Sequence, residues 1–155
     1  MTSRESLSFS DFDEAVRKIE TLSSNSHEAL GNWSLAQCVV HLDQWLSFPM
    51  DGFPSPKFPI SLMLPVIRFF AGKSLLQTIL KDGFKPGTPT VPETVPEADV
   101  DLSESIRQLR STIERFQKFD GQVYPSPIFG AMDLETAKKL QLRHFEHHLS
   151  FFVLQ

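Results

Sequence analysis

The chain has 155 residues, 41% hydrophobic and 22% charged, the size and balance of one globular domain whose core needs no disulfide or metal staple. A net charge of -4, with no clustered Lys or Arg, argues against a nucleic-acid partner, because phosphate binding needs concentrated positive charge. The single cysteine, Cys38, excludes an intrachain disulfide.

Residues Met1 to Ser6 lack the apolar stretch of a signal peptide, and a reduced thiol suits the cytoplasm. A cytoplasmic location is therefore expected. The longest apolar run, Ile60 to Gly72, is too short to span a bilayer and carries Arg68; it reads as core or lid, and no membrane partner is expected.

The first helix is expected over Phe9 to Leu22. Phe9, Phe12, Val16, Ile19 and Leu22 recur at spacings of three and four, which places them on one face. Ser10 with Asp13 resembles a capping box. The Ser23–Ser26 stretch ends the helix. The second helix is expected over Leu35 to Phe48, with Ser34 as N-cap, Gln37 completing a capping box, and Pro49 as the stop.

Residues 49–100 are broken by prolines. Short helices are expected at Ile60–Ala71 and Ser74–Leu80, with Gly83 as a C-cap. Lys85 to Val100 reads as an extended connection. The third helix has the cleanest period: Leu102, Ile106, Leu109, Ile113 and Phe116, with Asp101 and Glu104 at its start and Gly121 beyond its end. After a turn-rich segment, the fourth helix is expected from Leu134, capped by Asp133, to the chain end. The expected architecture is all-α, one domain over residues 1–155, of the four-helix bundle type, with a Pro/Phe-rich insertion between the second and third main helices.

Three of the five histidines lie in Arg143-His144-Phe145-Glu146-His147-His148. On a wheel of about 100° per residue, Glu135, Lys139, Arg143, Glu146 and Ser150 share one arc, read as the solvent face. His144 and His148 lie among apolar neighbours, one turn apart on nearly one line, so their rings can converge. His147 falls at the edge of the charged arc and is expected to be the least buried of the three. In the second helix His41 lies beside Cys38, Trp45 and Phe48 and also points inward, while Asp43 faces the other way.

Neutral imidazole is the common protein ligand for zinc-like metals, and three protein ligands plus an open position is the layout of a catalytic site. The candidate metal ligands are therefore His41, His144 and His148. The residues leave a second reading open, in which these are hydrogen-bonded core histidines. Cys38, one turn before His41, reads as a fourth ligand, a reactive thiol or, most commonly for such a position, a small core hydrophobe. No residue stands out as a general base, so none is named catalytic. Phe48, Phe53, Phe58, Phe69 and Phe70 are the expected apolar walls.

Gly31-Asn32-Trp33-Ser34-Leu35-Ala36-Gln37 followed by His41-Leu42, and His144-Phe145-Glu146-His147-His148-Leu149-Ser150-Phe151, resemble the second- and fourth-helix signatures of the DinB/YfiT-like metalloenzyme superfamily. Met50-Asp51-Gly52-Phe53-Pro54 and Pro127-Ile128-Phe129-Gly130 are similar to a bacterial branch known only as a domain of unknown function. The resemblance implies an up-down-down-up four-helix bundle. It also implies a divalent metal, zinc or nickel, on His41, His144 and His148. Some superfamily members are transferases or isomerases that use a low-molecular-weight thiol, so a small-molecule partner of that kind is implied. A non-catalytic metal- or ligand-binding bundle and a protein-interaction module are the rival readings, and a homodimer is allowed. Two departures stand out: Ser126 occupies a position where the branch is expected to carry His, and Leu149-Ser150 replace the superfamily's usual Gly-Gln.

Overall fold

The computed structural model describes residues 3–87 and 94–155. The elements run α1 (Phe12–Ser24), β1 (His27–Ala29), α2 (Leu35–Asp51), α3 (Ile60–Ile67), a π-helical turn (Arg68–Gly72), α4 (Lys73–Asp82), α5 (Leu102–Gln117), α6 (Leu134–Leu149) and β2 (Phe152–Leu154). The protein is thus mainly helical, with one small antiparallel sheet in which β1 pairs β2.

The helices α1, α2, α5 and α6 share one core: α2 packs on α5 and α6, and α1 on the same two. Ile19, Leu22, Leu42, Leu46, Leu109 and Phe116 are at most 1% exposed within it. Phe12 meets Phe116 and Phe145 edge-on, at centroid distances of 5.9 and 5.5 Å. The stripe of α5 lands as its period predicts, with Leu109, Ile113 and Phe116 buried. Asp101 caps that helix through Glu104 N, and Lys118, not Gly121, closes it.

Two helix starts and stops differ from the sequence reading. Asp11 caps α1, accepting from Glu14 N, so the helix begins at Phe12. Phe9 is apolar at the right spacing, but its N–H donates to Glu146 Oε1 at 2.8 Å and the chain there is a strap, not a helix. Pro49 does not stop α2, which continues to Asp51 and ends at Gly52 with φ 103°. Proline costs a helix the bond from its own nitrogen to the carbonyl four residues back. Here that carbonyl, Trp45 O, accepts from Gln141 Nε2 of α6 at 2.9 Å, so the defect is repaired across the interface. The Ser34–Gln37 capping box forms as expected.

The two short helices expected in the insertion are one continuous helical segment, Ile60–Asp82, joined through the π-turn and ended at Gly83. Gly72 lies in that turn, where a Cβ would come within 2.7 Å of Ile128 O; the close approach requires glycine. Leu76 and Ile79 pack with Leu140 of α6 in a second, smaller cluster. No residue of α3 is buried, and Phe58, Phe69 and Phe70 are 78%, 82% and 80% exposed. The run is therefore not core. By length and composition alone this 23-residue segment, whose most apolar 18 residues have mean hydropathy 1.2, is the one helix among the described residues apolar enough to cross a membrane. The Lys85–Val100 connection falls partly outside the described residues; its remainder, from Pro96, has no regular structure.

The chain end also departs from expectation. α6 stops at Leu149, and residues 152–154 form β2 against β1, a pairing too short to leave a period in the sequence. The arc of α6 read as solvent-facing is only half so. Glu135 and Lys139 are exposed, but Glu146 and Ser150 are 8% and 4% exposed. The N-terminal strap covers them: Arg4 donates to Ser150 Oγ at 2.6 Å and Glu5 N to Ser150 O at 3.3 Å. Glu146 is further held by Arg143 Nη1 at 2.8 Å.

Candidate metal centre

α2 and α6 bring three imidazoles to one point. His41 Nε2 lies 3.3 Å from His144 Nε2, which lies 3.0 Å from His148 Nε2. Three nitrogens bound tetrahedrally at zinc-like distances stand about 3.3 Å apart, so these spacings fit one ion. Each of the three offers one ligand atom, all within 4.8 Å of one another, close enough to hold a metal ion. The structure thus gathers the three histidines singled out in the sequence.

Their orientation is fixed by neighbours. His41 Nδ1 contacts Thr94 O at 2.9 Å. A carbonyl oxygen only accepts, so Nδ1 carries the proton and Nε2 of the neutral ring presents its lone pair to the cluster. An outer contact of this kind commonly sets the tautomer of a metal-ligating histidine. Trp33 stacks on His148 with centroids 5.6 Å apart and planes 9° from parallel. Trp45 packs at 5.4 Å from the His144 ring, and Phe84 at 5.6 Å on another side.

Burial also keeps the rings neutral. Loss of water pushes His41 down to about 4, although its bond to Thr94 O pulls the other way. The same cause, helped by the neighbouring imidazoles, brings His148 to about 2 and His144 well below the usual histidine range. Neutral imidazole is the ligating form. Protons alone do not satisfy this arrangement. His144 Nδ1 is buried with no hydrogen-bond partner, and three Nε2 atoms face each other where one hydrogen bond serves only two. A cation at their meeting point would satisfy all three lone pairs.

A cavity of about 280 Å³ adjoins the cluster, lined by His41, His144, His147 and His148 and by apolar side chains from α2, α4, α6 and the 123–132 loop. Of the five expected phenylalanine walls, only Phe53 lines it. Phe48 borders a smaller neighbouring hollow, and Phe58, Phe69 and Phe70 point to solvent. Phe84, Tyr124 and Phe129 are aromatic walls the sequence reading missed. Ser126 also lines the cavity; it is 3% exposed, and its Oγ accepts from Ile128 N and Phe129 N at 3.2 Å each.

The other candidates sort clearly. Cys38 is 1% exposed inside the main core, outside the three-histidine group, and burial pushes its thiol up. His147 is half-buried on the cavity wall, its ring 4.9 Å from that of His148, outside the three-nitrogen cluster. Asp43 lies away from the cluster, held by Thr112 and Arg115, with burial raising its carboxyl. Thr94 and Trp33 are contributors the wheel did not name. A backbone carbonyl leaves no side-chain signal, whereas Trp33 stood within the second-helix motif.

The family model described as "Protein of unknown function (DUF1569)" matches residues 1–155. The chain belongs to that family. No curated protein and no solved structure matches it.

Proposed function

We infer that this chain is a divalent-metal protein of the DinB-like type. On this reading it is one domain, an up-down-down-up four-helix bundle made by α1, α2, α5 and α6, with zinc or nickel on His41, His144 and His148. The observation that carries the reading is the convergence of three neutral Nε2 atoms, 3.0 and 3.3 Å apart, at the wall of an apolar cavity. Three protein donors beside a cavity leave a coordination position open, which favours chemistry over a purely structural ion.

The reaction class proposed is transfer or isomerisation with a low-molecular-weight thiol. A bound divalent ion supplies positive charge that lowers the pKa of a coordinated thiol or water. The residues of the chain do the rest. Thr94 O holds His41 in the ligating tautomer; Trp33, Trp45 and Phe84 fix the rings and exclude water; Phe53, Phe84 and Phe129 give an apolar seat.

The test is metal content of protein purified without a histidine tag. Close to one divalent transition metal per chain is expected. His41→Ala, His144→Ala or His148→Ala should each lower affinity by more than the roughly 10–100-fold that loss of an outer contact costs. His147→Ala should retain most of the metal. Full occupancy in His144→Ala, or equal loss in His147→Ala and His148→Ala, would contradict the assignment.

A further inference from the structure

The helical segment Ile60–Asp82 presents an apolar face that is left exposed among the described residues. Leu62, Met63, Val66, Phe69 and Phe70 recur at i, i+1, i+4, i+7 and i+8, one side of a helix, with Phe58 just before them; each is at least 56% exposed. Phenylalanine on a soluble surface is costly, and a contiguous exposed patch marks an interaction site. The opposite side is anchored: Leu76 and Ile79 pack against Leu140, and Gly72 lies against Ile128 O.

The charge around this face is mostly basic. Residues 52–81 carry Lys57, Arg68, Lys73 and Lys81 and no acidic residue, with Asp51 and Asp82 at the two ends of the stretch. Arg68, Lys73 and Lys81 are exposed. A phenylalanine- and leucine-rich helix face flanked by basic residues is the composition of a helix that lies in the interface of an anionic bilayer.

We propose that this face docks the protein on an anionic membrane surface, with Phe58, Phe69 and Phe70 entering the acyl boundary and the exposed Lys73 and Lys81 on the headgroups. The helix lies on the bilayer and does not span it, since its inner side stays packed on α6 through Leu76 and Ile79. The sequence expectation was of no membrane partner, and the proposal departs from it. That expectation rested on the length of the run Ile60–Gly72, and neither the continuous helix to Asp82 nor its exposure was visible there. On its other face α4 lines the cavity through Leu75, Thr78 and Ile79, so the docking helix and the histidine site share a wall.

Sedimentation with vesicles of phosphatidylcholine alone, and of an equal mixture with phosphatidylglycerol, tests the proposal. The full chain should sediment with the anionic vesicles, weakly with neutral ones, and less as salt rises. Lys73→Gln or Lys81→Gln should each lower partitioning about five-fold. Phe69→Ser with Phe70→Ser should lower it at least about ten-fold. These side chains are exposed, so circular dichroism and metal content should stay at wild-type values, which separates this test from that of the histidine site. Absence of vesicle binding overturns the proposal, as does binding that the Phe pair does not affect. A wild-type dimer in light scattering, made monomeric by the Phe pair and blind to vesicles, would assign the face to a second copy instead.

Discussion

Two parts of the molecule are rich in apolar residues, and they meet opposite fates. In α5 the apolar residues fall every third or fourth place between Arg, Glu and Gln, and Leu109, Ile113 and Phe116 are 1%, 3% and 0% exposed. In α3 they crowd the helix: Ile60, Leu62, Met63, Leu64, Val66 and Ile67 make up most of it, and none is buried. A helix apolar all round is normally enclosed by protein or lipid, whereas a single stripe needs only one neighbour. The contrast teaches that total hydrophobicity says less about burial than the presence of a polar face. A stripe declares which side is covered; an unbroken run declares only that something covers it.

The sharpest break between the two regions is energetic. Phe116→Ala should destabilise the protein by about 3–5 kcal/mol, because it empties a site closed by Phe12 and the α2–α5 packing. Phe69→Ala, at 82% exposure, should change stability by no more than about 0.5 kcal/mol. Urea unfolding of both variants measures the difference, and similar losses would mean that the outer face is covered in the free protein.

Chelation probes the same core from the site side. Four helices with a common core fold without metal, so a chelator should leave the far-ultraviolet helical signal nearly intact. It should remove only the stability that preferential binding adds, on the order of a few kcal/mol. A thermal melt with and without chelator reads this as a modest drop in Tm. Loss of helix at room temperature would make the site structural and favour a non-catalytic metal bundle.

A smaller effect is expected at the proline inside α2. Gln141→Leu keeps volume but strips the partner from Trp45 O, a cost of roughly 1–3 kcal/mol at a bond now 2.9 Å long. In a Pro49→Ala background the helix regains its own N–H, and the cost of Gln141→Leu should fall. A double-mutant cycle by denaturant titration gives the coupling; additive effects would show that Gln141 does not repair the proline defect.

The parts legible in the sequence are those with a period or a cap. Ser34-x-x-Gln37, Asp101, Asp133 and Gly83 mark helix ends as expected, and the wheel of α6 puts His144 and His148 inside. What the sequence hid lay in contacts between distant segments. Pro49 reads as a stop only until Gln141 is known to lie across from it. Glu146 reads as solvent-facing only until the strap of Arg4, Glu5 and Phe9 is laid over it. His41 pointed inward on its own wheel, but its tautomer depends on Thr94 O, 53 positions away in the chain. The candidate ligands were therefore readable one helix at a time, and their meeting point was not.

Anomalous diffraction at the metal edge, on crystals of untagged protein as purified, tests the central claim most directly. The account predicts one peak per chain, bonded to Nε2 of His41, His144 and His148, with Thr94 O still on His41 Nδ1 and no fourth protein ligand. A peak elsewhere, a site built on His147, or a fourth side chain closing the open position would contradict it.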